Sequence, residues 1–109
     1  MSDEEKRAAL NQAVARDANE TVEDVAAAWD PPADPIDIRC ECSGADCSET
    51  LRVSLSEYEA VRDDPRQFLV VPEHVDERID RVVGSMRSYA LVEKVGEAAS
   101  VAEETDPRA

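Results

Sequence analysis

The sequence offers little from which to build a large core. Its 109 residues include four aromatic side chains, Trp29, Tyr58, Phe68 and Tyr89, and much of the apolar fraction is alanine. A chain this short buries a limited share of its surface and is marginal without a staple. Lysine is scarce as well. Lys6 and Lys94 are the two lysines, and the net charge is −14, spread as −6 over residues 1–34, −5 over 35–96 and −3 over 97–109. Binding to nucleic acid rests on clustered Lys and Arg, so direct contact with it is not expected. An anionic membrane surface would repel the chain. No apolar run is long enough to span a bilayer. The start, MSDEEKRAAL, lacks the apolar centre of a signal peptide. Three isolated glycines, Gly44, Gly84 and Gly96, do not make a phosphate-binding loop. The expectation is a cytoplasmic protein whose acidity serves solubility. An acidic mimic of nucleic acid is the sharper alternative.

Cysteine is confined to one place. CECSGADC, Cys40 to Cys47, holds all three thiols of the chain. Cytoplasmic thiols stay reduced, which favours metal or redox chemistry over a structural disulfide. Cys40 and Cys42 lie two residues apart on a predicted strand, about 6.6 Å between Cα atoms and on one face. Two thiolates on a tetrahedral zinc lie about 3.8 Å apart, a gap that leaning side chains close. SGAD is a turn, with Gly44 free to take a positive φ, and it returns Cys47 over the same face. The one histidine, His74, follows a predicted strand and the proline of PEH. Cys40, Cys42, Cys47 and His74 thus form a candidate Cys3His site for Zn2+. Such a site carries about one negative charge, which Arg39 and Arg52, flanking the hairpin, could offset. Other chemistries stay open. If His74 does not bind, a catalytic zinc could use Glu41, Glu49 or Glu73 as base. A redox thiol needs positive surroundings, whereas Glu41, Asp46 and Glu49 flank these. Iron–sulfur binding usually needs a fourth cysteine.

Around this cluster the hydrophobic pattern predicts an α+β fold: a small zinc-capped antiparallel sheet of four or five strands, one short helix and a long N-terminal helix. Residues 1–30 form the helix. Ser2 and Glu5 begin it as a capping box, and Leu10, Val14, Ala18, Val22, Val25 and Trp29 make one apolar stripe. The stripe docks on its own domain, or it pairs with a protein partner or a second copy as a homodimer. DPPADP, with 31–35 as linker, reads as stiff and extended. It sets the helix apart and favours a partner-binding arm, so that residues 36–95 would fold alone. In 36–96, IDIRCEC turns Ile36, Ile38, Cys40 and Cys42 inward and Asp37, Arg39 and Glu41 outward. TLRVSL turns Leu51, Val53 and Leu55 inward. Ser56 and Glu59 suggest a capping box for the short helix, Phe68 to Val71 a buried strand and Tyr89 to Val95 a final strand. Residues 75–83 suit helix or strand. Residues 97–109 read as a disordered acidic tail.

The string CEC…C, then LSEYEAVRDDPRQFLVVPEH, then YALVEK, resembles a family of short proteins from high-GC actinobacteria. The resemblance covers about residues 8–95. It places Cys40, Cys42, Cys47 and His74 at matched polar positions and Asn19-Glu20 at a paired position on the N-terminal helix. The chain departs at Glu73, where that family tends to have glycine. The resemblance implies a fold rather than an activity. The functional expectation is a non-enzymatic, zinc-stabilised protein-interaction or regulatory module. The alternative is a metal- or thiol-dependent enzyme or redox sensor built on the same cysteines.

Overall fold

In the computed structural model, which describes residues 1–108, Ser2 opens the long helix α1, Asp3–Ala27. Its hydroxyl accepts from the Glu5 amide at 3.1 Å, as the capping-box pattern requires. Strands β1, Ile36–Arg39, and β2, Thr50–Val53, form an antiparallel pair with Ile36 opposite Val53 and Ile38 opposite Leu51. All four of these apolar side chains are buried. Helix α2, Leu55–Arg62, follows β2 directly. Strand β3, Gln67–Val70, a 3-10 turn at Pro72–His74, and strands β4, Asp80–Ser85, and β5, Ala90–Lys94, come next. Helix α3, Glu97–Glu104, is the last element. The architecture is α+β, as the pattern predicts.

The strands make two sheets rather than one: β1-β2, and an antiparallel β3-β5-β4. Glu41 joins them. Its amide donates to the Leu69 carbonyl at 2.8 Å, and its carboxylate accepts from the Leu69 amide at 2.9 Å. A side-chain oxygen replaces the backbone carbonyl that would have continued the ladder, so pairing with β3 stops after one residue. The ambiguous segment 75–83 splits. Asp76 closes a turn by accepting from Ile79 and Asp80, and β4 then runs out along β5 with an irregular register between Val82 and Gly84. The capping box of α2 sits two residues earlier than expected, at Ser54 and Glu57. The earlier start buries Tyr58 and Val61 and lets the Tyr89 hydroxyl donate to Glu57 at 2.9 Å.

Three expectations are corrected. First, α1 is not an arm. It turns Gln12, Arg16, Asn19, Glu20 and Glu23, with Ala8, Ala9, Ala13, Ala15 and Ala26, toward the rest of the fold. The apolar stripe faces out, with Val14 62% and Trp29 66% exposed. The radius of gyration, 13.1 Å, equals the roughly 13 Å of a compact chain of this length. Polar side chains win the inner face because each has a specific partner there. Arg16 donates to the carbonyls of Pro65 and Ala102 and lies 4.5 Å from the Phe68 ring centroid. Gln12 donates to Asp80, which also binds the buried Lys94. Burial pulls the Lys94 ammonium below its ordinary pKa, and Asp80 opposes that pull. Second, the DPPADP segment folds back. Ala33 donates to the Ala26 carbonyl, and the Asp34 carboxylate accepts from the Leu55 amide at the start of α2, where negative charge is favoured. Third, the described part of the tail is structured rather than disordered. Ala98 and Ala102 of α3 are buried, Arg16 binds the carbonyl end of α3, Asp106 pairs with Arg62, and Arg108 with Glu20 and Glu59.

These contacts make α1 part of the core. A chain beginning at residue 35 is therefore expected to stay unfolded. Asn19→Ala, which removes three buried or half-buried hydrogen bonds, is expected to cost about 2–4 kcal/mol. Thr21→Ala, on the exposed side, is expected to change stability by no more than about 0.5 kcal/mol. Urea unfolding of the metal-loaded protein measures both.

Candidate metal centre

The candidate ligands gather from three segments. Cys40 and Cys42 lie just beyond β1, Cys47 on the loop back to β2, and His74 ends the 3-10 turn. Their sulfurs and one imidazole nitrogen all fall within 4.8 Å of one another. His74 Nδ1 is 3.5 Å from Cys40 Sγ and 3.6 Å from Cys47 Sγ. A tetrahedral ion with Zn–S near 2.3 Å and Zn–N near 2.05 Å sets these atoms about 3.6 Å apart. The spacing is that of co-ligands around one ion. All four sequence-predicted ligands are brought together.

Each ligand is aimed by backbone that has little freedom. The Cys40 amide donates to the Glu49 carbonyl across the hairpin at 3.0 Å. Asn19 of α1 holds both backbone groups of Arg39: Oδ1 accepts from its amide at 2.7 Å and Nδ2 donates to its carbonyl at 2.9 Å. The same Nδ2 reaches Glu41 Oε2 at 2.8 Å. Asn11, two helical turns earlier, donates to the Ser43 carbonyl at 2.9 Å. One helix therefore grips the cysteine segment on both sides. Pro72 fixes the start of the 3-10 turn, and the His74 amide closes it on the Val71 carbonyl at 2.8 Å. Cys47 closes its own turn on the Gly44 carbonyl.

The surroundings differ from expectation in two ways. Arg39 and Arg52 do not serve the cluster: Arg39 is exposed, and Arg52 pairs with Asp37. An amide serves instead: Val71 N–H donates to Cys40 Sγ at 3.2 Å. Gly44 itself needs no special backbone, since Gly96 alone has a positive φ among the described residues. A Cβ at Gly44 would lie 3.6 Å from Cys42 Sγ and from Cys47 Cβ, an ordinary contact. Glu41, expected to face solvent and offered as a base, is 1% exposed with both oxygens engaged. Burial raises its pKa, opposed by the Asn19 and Leu69 hydrogen bonds. It is a structural anchor, not a free base.

Burial likewise pushes the Cys40 thiol up to about 12, against the Val71 amide, and raises Cys42. An attacking thiol needs the opposite shift. The open side of the cluster is a cleft of about 640 Å3, walled by Cys42, Cys47, Glu73, His74, Asp76 and Arg78 among others. Glu20, Glu23 and Asp24 form a second acidic group on α1, but Glu20 there answers Arg62 and Arg108. Sequence reasoning missed Asn19 and Glu41 as supports of the centre. The Asn-Glu pair of the resemblance was the available signal for Asn19. For Glu41, alternation set it opposite the cysteines, as found, but α1 covers that face in place of solvent.

No family model matches the chain, and no curated protein or solved structure is significantly similar to it.

The raised thiol pKa values fix a pH dependence. At neutral pH Cys40 and Cys42 hold their protons without metal, so binding releases at least two. Apparent metal affinity is therefore expected to rise with pH, by roughly two or more log units per pH unit between about pH 6 and 8. Competition titration with a chromogenic chelator at several pH values measures this slope, and a flat profile would contradict it.

Proposed function

We propose that the chain is a zinc-stabilised, non-enzymatic module that acts in the cytoplasm by binding another protein in a regulatory role. The observation behind this reading is the co-ligand spacing of Cys40, Cys42, Cys47 and His74, together with the commitment of Glu41 to structure. Zinc is the ion that three thiolates and one imidazole suit best, and Cys3His is a recognised structural set. Four protein ligands fill a tetrahedral shell and leave no position for a reacting water. Bound this way, the ion would tie together the end of β1, the cysteine loop and the turn after β3. The same four positions are those that the sequence resemblance to short actinobacterial proteins singles out. A small fold with few large side chains gains more from such a tie than a large one.

One feature favours the enzyme alternative. The cleft reaches Cys42, Cys47 and His74, and Glu73 stands in its wall. If His74 left the ion, a water could take its place with Glu73 near.

Purified protein is expected to carry one zinc per chain by elemental analysis. Chelation is expected to lower Tm by about 15 °C or more, given about 4–8 °C per kcal/mol for a domain of this size. Cys40→Ser is expected to lose the metal, and His74→Ala to weaken binding while leaving a three-cysteine site. A His74→Ala protein that keeps full stability and gains or loses a hydrolytic activity would replace this reading with the enzymatic one. Protein that melts identically with and without metal would end it.

A further inference from the structure

The open cleft beside the cysteine–histidine cluster, about 640 Å3 in volume, falls within the roughly 300–1,000 Å3 of ligand sites. Its wall holds Glu73, Asp76 and Glu77 against one cation, Arg78. That cation is already committed: Arg78 donates to Asp76 from Nε at 2.9 Å and from Nη2 at 2.7 Å. Glu73 and Glu77 are exposed and, among the described residues, make neither a hydrogen bond nor an ion pair. Three thiolates and a neutral imidazole around Zn2+ would add about one further negative charge behind them. The charge left free at the cleft is therefore negative. His74 brings a second kind of group. Its Nδ1 is the nitrogen beside the sulfurs, so with an ion bound Nε2 carries the proton. Metal-ligating histidines pass that second N–H to a carboxylate, a carbonyl or water. Among the described residues no side chain or carbonyl accepts from His74 Nε2, and His74 lines the cleft.

These groups ask for unlike partners. The two free carboxylates need a cation, and the imidazole N–H needs an acceptor. A peptide carrying a basic side chain supplies both, the second from its backbone. We infer that this cleft binds a short basic segment of another protein, with an Arg or Lys side chain paired to Glu73 and Glu77 and a backbone carbonyl accepting from His74 Nε2. The inference rests on the protein-binding reading above and names the chemistry of the partner. The shape of the surface agrees with an extended ligand. A smaller cleft of about 250 Å3 shares Ser43 and Arg78 with the first and runs onto the first turns of α1 at Glu4 and Ala8. Arg7 stands there too, so this second cleft adds length rather than negative charge. A free metal ion or a single amine would leave it empty, whereas a chain of several residues crosses both.

The test titrates the 15N-labelled, zinc-loaded full chain with a blocked Ala-Ala-Arg-Ala-Ala peptide at about 0.1 M salt, where the screening length is about 10 Å. Saturable amide shifts are expected at Gly44 and residues 73–78, with Kd of about 1 mM or tighter. The same peptide with Glu in place of Arg is expected to give none. The Glu73→Gln, Glu77→Gln double variant is expected to weaken binding about 5-fold or more, with zinc content and circular dichroism unchanged. The Glu73→Lys, Glu77→Lys double variant is expected to reverse the preference toward the acidic peptide. In an independent arm, the His74 Nε2 proton, followed in an imidazole-selective 15N spectrum, is expected to exchange more slowly with water when the peptide is bound. Zinc content is measured on the same samples. A chain with one zinc that gives no saturable shifts overturns this inference and leaves the reading beneath it standing, whereas a chain that takes no zinc ends both. Shifts placed elsewhere, binding that survives the Gln variant, or argininamide alone binding as tightly as the peptide also overturns it.

Discussion

Glu41 stands between two of the candidate metal ligands, sealed from water, and the rest of the site depends on how it is satisfied. A carboxylate removed from solvent is costly unless its oxygens are hydrogen-bonded. Here one oxygen takes the Leu69 amide and the other takes Asn19. The first contact joins the two sheets. The second joins both to α1. Because Glu41 faces the helix, its neighbours Cys40 and Cys42 must face the other way, toward Cys47 and His74. Strand alternation, which alone would only pair the two thiols, becomes a fixed direction because the residue between them is locked. The metal cluster and the helix–sheet junction are two sides of one three-residue segment.

This arrangement also explains how a chain with four aromatic residues and many alanines builds an interior. Phe68 is fully buried, with the Arg16 guanidinium 4.5 Å and the Lys94 ammonium 4.6 Å from its ring centroid. Lys94 pairs with Asp80, and Arg16 donates to the Ala102 carbonyl and the Thr105 hydroxyl. Buried ion pairs add little net stability over apolar packing, but breaking one is expensive. A core of this kind is specific rather than strong. It tolerates few substitutions on α1, α2 and the C-terminal segment together, which is why elements far apart in sequence behave as one unit.

The legibility of the chain follows from the range of its interactions. The ligand set was readable because three thiols on one turn and a single histidine leave few combinations. Strands β1, β2, β3 and β5 were readable because their apolar positions alternate or run together. The orientation of α1 was not. The hydrophobic stripe of Leu10, Val14, Val22, Val25 and Trp29 is the obvious inner face by periodicity, yet the inner face is decided by partners such as Pro65, Asp80, Ala102 and Thr105 that lie tens of residues away. The ordered tail was hidden for the same reason. EAASVAEE has little apolar signal of its own, and what holds it is Arg16 at its carbonyl end and the pairs made by Asp106 and Arg108. Glu41 was misassigned because alternation says only which residues share a face, not whether the opposite face meets water.

The metal and the buried charges differ in what they contribute, and the difference decides how the two failures would look. Without an ion, Cys40 and Cys42 are neutral, because burial holds their protons. Losing the ion therefore leaves no unpaired thiolate beside Glu41, and the clamp with Asn19 and Leu69 keeps its charge balance. What is lost is a cross-link among three segments, whose stabilising effect grows only slowly with the length of chain it closes. Losing Asn19 is the reverse case. The cross-link remains possible, but a buried carboxylate is left short of a donor, and the backbone of Arg39 loses both its partners at the root of the cysteine loop. A bound metal would thus stabilise a corner that is already formed, while the Asn19–Glu41 contact forms it. Helix α1 comes before the ion in the hierarchy of the fold, and its inner face cannot be released to serve another protein. Only its outer stripe is free to do so.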